Sequence, residues 1–402
     1  MDLYAGFPYW LVKNPLFNHV HELEQDISID VAIIGSGITG ALVAHELCSH
    51  GFKCAIFDKR SIGTGSSAAS TAQLQYEIDV PLHQLLKKVT ERTAVTAYRG
   101  CLQSITDLEN VFKKTKVDAE FERRSSLYVA SDKKGLKEIE KEYDARIKYG
   151  LPVEYMSQED LKDTYNIDRK GGLYNNVSGQ LDAYKAASGL IRHHHEKNGL
   201  DLYPYTEIEK HQATSDGYEL LTTSEKYIKC KYLIVAAGFE AGAFLPKKVM
   251  NLLSTYALVS EPMRKDELWH EESLIWETAR PYFYLRTTND NRIMIGGEDI
   301  KFKNEKLRDA LLQRKTDKLL ATFKTLFADI ELKCEMAWCG TFSETKDGLP
   351  YIGEYPGYPN MLFALGYGGN GITFSMIAAQ IILNKLKGKE DEREKVYGFE
   401  RK

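Results

Sequence analysis

The stretch Ile29-Asp-Val-Ala-Ile-Ile-Gly35-Ser36-Gly37-Ile38-Thr39-Gly40, followed by a helix-like segment and then Cys54-Ala-Ile-Phe-Asp58, decides the fold. It reads as a buried strand, a G-x-G-x-x-G turn, a helix, a second strand and a terminal acid. The order carries more information than the glycines. Gly35 permits the tight turn, Gly37 lets backbone approach a pyrophosphate, and Gly40 lets the helix pack closely on the sheet. Phosphates would sit at the helix N-terminus, where free N–H groups and the helix dipole favour negative charge. Asp58 stands 18 residues beyond Gly40, about where a carboxylate meets a ribose hydroxyl pair.

Outward from this unit, the bulk numbers narrow the class. A chain of 402 residues exceeds the size of a single core, so two interleaved domains are expected. Lys and Arg number 53 against 57 Asp and Glu, a net charge of −4 that argues against nucleic acid or an anionic membrane as the main partner. The six cysteines are scattered without C-x-x-C spacing, and the lone C-x-H, Cys48-Ser49-His50, has no partner pair, so no metal centre or disulfide framework is expected. No basic leader follows Met1, and no apolar run approaches the ~18 residues of a spanning segment. A cytoplasmic protein is the simplest expectation.

Along the chain, residues 1–27 read as a polar arm bearing Tyr9, Trp10 and Pro15. Ser61 to Thr71 is a run of small and hydroxyl residues whose side chains and bare amides suit phosphate or a ring edge. Helical periodicity is read over 80–112, 133–149, 183–198, 307–327 and 372–386, the second as a charged, exposed helix. Strands are expected at 123–130, 216–222, 226–230 and 232–238, and as several pieces over 254–300 with turns at 289–291 and at Gly296-Gly297. Gly366 to Gly371 forms another glycine-rich turn before a helix, where a helix N-terminus stabilises negative charge. His193-His194-His195 cannot converge on one ion, because consecutive helical residues point about 100° apart, and reads as a solvated face. These alternations fit an α/β nucleotide domain interrupted by a separate mixed sheet.

At this point the residues carry a resemblance. Val31 to Gly40, Asp58, the Gly63-to-Thr71 run, Gly179-Gln-Leu-Asp182, Val235-Ala-Ala-Gly238, Gly296-Gly297-Glu298, Lys346-Asp-Gly-Leu-Pro350 and Gly366 to Thr373 follow in order over most of the chain. The chain resembles the FAD-dependent oxidoreductases of the D-amino-acid-oxidase superfamily, especially the glycine/sarcosine-oxidase-like and γ-glutamylputrescine-oxidase-like branch. The resemblance implies a discontinuous Rossmann-like FAD domain (28–85, 165–245 and 330–402) and an inserted mixed-sheet substrate domain (86–164 and 246–329). It implies FAD contacts at Gly35, Ser36, Gly37, Ile38, Thr39, Gly40, Asp58, Lys59, Arg60, Ser66, Ser67, Thr71, Ala72 and Gln73. Further contacts fall at Ile208, Ala237, Gly238, Gly340, Gly368, Gly369, Asn370, Gly371, Ile372 and Thr373. It implies oxidation of a C–N bond by hydride transfer to flavin N5, with O2 or another external acceptor taking the electrons. The branch's C-terminal Rieske ligands are not found, which is why the acceptor is expected to be external.

The departures concern the substrate. Glycine-oxidase-like members place carboxylate-binding arginines where this chain has Phe342 and Gly369, and sarcosine-oxidase-like members use a lysine at the position of Thr373. An uncompensated carboxylate in such a pocket is costly, so a small primary or secondary amine is expected. The alternative is an amino acid or N-methyl amino acid held by another cation, Arg286 or Arg280; a flavin-binding protein without turnover is the reading from another class. Candidate pocket walls are Tyr256, Trp276, Tyr282, Tyr284, Phe342 and Tyr367, each equally readable as a core aromatic. Desolvation of the amine is expected to make a dedicated base unnecessary. The flavin-linking cysteine of sarcosine-oxidase-like members aligns with Gly340, so Cys339 reads as a core cysteine and FAD as non-covalent.

Overall fold

The computed structural model describes residues 2–17 and 21–401. Its smaller sheet has eight strands, centred on parallel pairing of Ile27–Ile34 with Cys54–Phe57 on one side and Tyr227–Val235 on the other. Val31, Ile33 and Ile56 feed one hydrophobic cluster, whereas Ala32, Ile34, Ala55 and Phe57 feed another. Successive side chains point to opposite faces, so a strand apolar at every position must be covered twice, as parallel sheets are. On the first face lie the helices Ile38–Ser49, Ala183–Asn198 and Gly371–Leu386.

The larger sheet has ten strands, nine running from Tyr4–Gly6 through Cys334–Glu344, Asn251–Ser260, Ile293–Lys301, Phe283–Thr287, Leu274–Glu277, Glu122–Val129 and Gly171–Gln180 to Gln73–Leu74, and the tenth, Glu154–Ser157, pairing with Gly171–Gln180. The helix Leu312–Leu326 backs it, burying Leu319, Phe323 and Leu326 against Leu258 and Ile295.

Several expectations change. The N-terminal arm is not merely polar: Tyr4 to Gly6 pairs with Gly340 to Trp338, and Tyr9 and Trp10 are buried. The 80–112 helix is two, Leu82–Leu85 and Glu91–Thr115, the second started by the Thr90 side chain accepting from Thr93 N–H. Residues 227–235 form one strand where two were expected. Gly296-Gly297 lies inside a strand instead of a turn. The 307–327 helix breaks at Leu311 into Glu305–Ala310 and Leu312–Leu326. The charged helix Lys133–Lys148 buries Glu142 and Arg146, which pair at 2.9 Å. His194 turns inward, its Nε2 2.9 Å from His45 Nδ1, so only part of the histidine run faces solvent. Pairing also carries 171–180 and 334–344 into the larger sheet, although the domain ranges expected from sequence grouped them with the nucleotide half.

Candidate active site

Between the two sheets runs one cavity of about 760 Å³, well within the size of cofactor sites. One end begins at the opening turn. Gly37 and Ile38 line it at the start of the helix, where Ile38 N–H donates to Ser67 Oγ at 2.9 Å. A Cβ on Gly37 would stand 2.9 Å from that hydroxyl and fill the approach. Gly40 does not line the cavity; a Cβ there would meet Gly35 O at 1.9 Å, so its bareness serves the packing of helix on turn. Ser36 likewise faces inward. Its N–H and hydroxyl both donate to Asp58 Oδ2, at 2.8 and 2.6 Å, while Asp58 Oδ1 accepts Arg60 N–H at 2.8 Å. Burial nevertheless pushes the Asp58 carboxyl above its usual range. Lys59 and Arg60 line this end and both pair with Glu240 at 2.8 Å, an acid the sequence reading missed. Ile208, Ala237 and Gly238 complete it.

The middle is made by Ser66, Ser67, Thr71, Ala72, Gln73 and Gly340. This hydroxyl-rich segment is tied down from outside: Trp338 and Trp10 donate indole N–H groups to Ala69 O and Ser70 O at 2.8 and 2.6 Å. Arg286 is part of the same clamp. It is buried and donates to Thr71 O, Ala72 O and Leu181 O at 2.9–3.1 Å, and it does not line the cavity. The Gln73 amide has neither of its buried polar atoms satisfied within the chain, so it offers both a donor and an acceptor to a guest.

The far end is a chamber walled by Trp276, Tyr282, Tyr284, Phe342 and Tyr367. Tyr284 lies across Gly296, where a Cβ would come within 2.4 Å of the ring. Tyr256 is not a wall. Its hydroxyl donates to Arg308 O at 3.3 Å within the core behind the larger sheet. The closing turn Gly368 to Gly371, with Ile372, lines the chamber at the N-terminus of the helix Gly371–Leu386, and Asn370 Nδ2 ties it to Glu77 O at 2.7 Å. Thr373 sits one layer deeper and donates to Asn370 O at 3.0 Å.

Three acids that carried no sequence signal also reach the chamber: Glu77, Asp79 and Asp299. Glu77 is compensated by Arg146 at 3.1 Å and Asn175 at 2.6 Å. Asp79 Oδ2 accepts Gly369 N–H at 2.6 Å, and a Cβ on Gly369 would stand 2.6 Å from Asp79 Oδ1. A side chain at position 369 would have to displace the Asp79 carboxylate, which occupies that space. Arg280 is exposed, stacked at 3.5 Å over the Tyr282 ring, and is not part of the lining. Among the described residues the basic side chains that line the cavity are Lys59, Arg60 and His211, all toward the nucleotide end. None of the six cysteines lines it; the Cys339 thiol faces Ala5 O and Asp309 at 3.8 and 3.5 Å.

A glycine turn at a helix start, a hydroxyl-rich middle and an aromatic chamber form one continuous groove, the arrangement of a dinucleotide-dependent redox protein. The groove's bare glycines and the unsatisfied Gln73 amide fit an extended FAD. Comparison with known proteins gives the family. A model described as FAD dependent oxidoreductase, DAO, matches residues 30–384, so the chain belongs to that family. Glycine oxidase of Geobacillus kaustophilus is 26% identical over 373 residues, covering 90% of this chain and 93% of the relative. Gamma-glutamylputrescine oxidoreductase of Escherichia coli is 25% identical, covering 91% and 85%. L-proline dehydrogenase from P. horikoshii superposes with a TM-score of 0.76 at 18% identity, covering 93% of this chain and 97% of that one, a likeness of fold. The protein is an FAD-dependent oxidoreductase acting on amines or amino acids. Among the described residues no helix is long and apolar enough to cross a membrane.

Proposed function

We propose that the chain oxidises the CH–N bond of a small primary or secondary amine that carries no carboxylate beside the reacting carbon. The observation that supports this reading is the charge of the chamber. Its ionisable lining is carboxylate, and Gly369 is held against Asp79. A buried carboxylate guest would meet no cation there and would lose its hydration without compensation, at a cost of several kcal/mol. An ammonium guest meets the reverse situation. The relatives' named substrates, glycine in one and a putrescine derivative in another, span both classes, and the carboxylate lining supports the amine reading for this chain.

In this reading FAD lies along the whole groove. Asp58, Lys59, Arg60, Ile208, Ala237 and Gly238 surround the adenosine half. Gly37, Ile38, Thr39 and Ser67 face the pyrophosphate, and Thr71, Ala72, Gln73, Gly340 and Gly368 to Ile372 surround the ring. Bound FAD supplies the acceptor for a hydride from the amine's α-carbon. The protein's own part is to hold that carbon in the chamber, to exclude water with Trp276, Tyr282, Tyr284 and Phe342, and to keep the nitrogen unprotonated. The resulting imine is hydrolysed by water. The test is anaerobic bleaching of the flavin by n-butylamine and pyrrolidine against glycine, sarcosine and proline. The amines are expected to bleach faster; faster bleaching by the amino acids overturns the proposal.

A further inference from the structure

The strand Ile293–Lys301 contains an irregularity beside the chamber. Its register against Asn251–Ser260 pairs Ser254 with Ile300 and Tyr256 with Gly297, so Thr255 alone opposes both Glu298 and Asp299. This is a β-bulge, and Glu298 pays for it with a left-handed φ of 56°, unusual for a residue with a side chain. Simple alternation would turn residue 298 to the face of Gly296, over which Tyr284 lies. The extra residue sends Glu298 out to Lys315 at 2.7 Å and Lys318 at 3.3 Å, and gives that face to Asp299. Asp299 lines the chamber while Glu298 does not, and Asp299 Oδ1 is closed off from solvent with no hydrogen-bond partner. A bulge that strains its own strand in order to aim an unsatisfied carboxylate at the chamber fits the general use of bulges beside active sites.

We propose that Asp299 is a catalytic residue that receives the substrate as its ammonium ion and takes the proton from nitrogen before the hydride leaves carbon. The step breaks N–H and forms O–H: R–NH3+ and carboxylate become R–NH2 and carboxylic acid, the electron pair staying on nitrogen as the lone pair. This assignment rests on the amine reading above and replaces the expectation that desolvation alone frees the nitrogen.

The surroundings suit a base working near neutrality. Burial raises the Asp299 carboxyl to about 7, helped by the negative charge of Asp79; the Thr255 hydroxyl, Lys315 and Arg280 pull the other way. Tyr282 and Tyr284 also face it, both with phenols raised far above their ordinary range and so neutral.

The test is single-turnover reduction of the holoenzyme by n-butylamine under anaerobic conditions from pH 5.5 to 9.5. An enzyme that binds the ammonium form and deprotonates it shows kred/Kd rising to about pH 7 and then level, well below the amine's own titration at roughly 10. Asp299→Asn is expected to keep its bound FAD, lose about 10²- to 10⁴-fold at pH 7, and show no break, its rate climbing tenfold per pH unit because only free amine reacts. Asp79→Asn, which leaves Asp299 in place, is expected to move the break to lower pH by removing a like charge. A break near 7 that survives in Asp299→Asn overturns the assignment, as does a wild-type profile rising straight through to pH 9.5. If Asp299→Asn does not hold FAD, the direction of the Asp79→Asn shift decides, and an unmoved or raised break overturns it. Failure of n-butylamine to bleach the wild type, with glycine doing so, removes the amine reading instead.

Discussion

The two ends of the cavity are built from different materials. At the nucleotide end the chain presents backbone: glycines, helix-start amides and a carboxylate already engaged by Ser36 and Arg60. At the chamber end it presents side chains, with aromatic walls and carboxylates aimed inward by a bulge and by a glycine turn. Backbone geometry tolerates little change and is shared with many proteins. Side chains set on a rigid sheet can be exchanged singly, so specificity belongs at that end.

The comparison breaks most severely at the turn. Gly40→Val would drive methyl groups into Gly35 O, already 1.9 Å from an ideal Cβ. Purified variant is expected to be colourless, with no flavin absorbance, and to unfold at lower temperature. Next in size is Arg286→Ala, which takes the guanidinium donor from Thr71 O and Leu181 O and leaves Ala72 O with Leu181 N–H alone, at 3.3 Å. A loss of about 3 kcal/mol of stability is expected, from charge-assisted bonds lost and acceptors stranded, with FAD dissociating faster; denaturant unfolding measures the first and flavin fluorescence the second.

At the chamber end, exchange instead of collapse is expected. Asp79→Asn should raise the KM for n-butylamine by about 10- to 100-fold, roughly 1.4–3 kcal/mol, while the protein stays yellow and as stable as wild type within 1 kcal/mol or so. Tyr256→Phe lies behind the sheet and gives up one bond to Arg308 O. It should cost under about 1 kcal/mol and leave amine turnover unchanged, which steady-state kinetics would check.

The helix that starts at the turn carries His45, half-buried against the buried His194, and desolvation lowers the two imidazoles to about 3 and about 4. Both folded values lie below the ordinary value of 6.5. Protons taken up by the unfolded chain below pH 6.5 are therefore refused by the folded one, and stability falls as pH drops from 6.5 toward 4. The nucleotide half is expected to loosen first, seen as loss of flavin before loss of far-ultraviolet ellipticity.

The same division explains what was legible in the sequence. The β-α-β unit, its three glycines, Asp58, the Ser66 to Thr71 run and the closing glycine turn declare themselves locally, because helix starts and tight turns demand particular residues at fixed spacing. Tyr284, Phe342 and Tyr367 line the cavity and Tyr256 does not, since alternation along a strand tells two faces apart without saying which one a distant cavity adjoins. Arg286 reads from sequence as a possible substrate anchor, yet its partners are four carbonyls, three of them brought to it by long-range folding. Asp79 and Asp299 stand in no motif. The one available sign was Gly296-Gly297 within a strand, read as a turn, where paired glycines in fact accompany a bulge and a close-lying ring.

The most direct test of the account uses pairs of reductants that differ only by a carboxylate: n-butylamine against norvaline, and pyrrolidine against proline. Anaerobic stopped-flow reduction of the bound FAD should favour the decarboxylated member of each pair by tenfold or more. Faster reduction by norvaline or proline would contradict it.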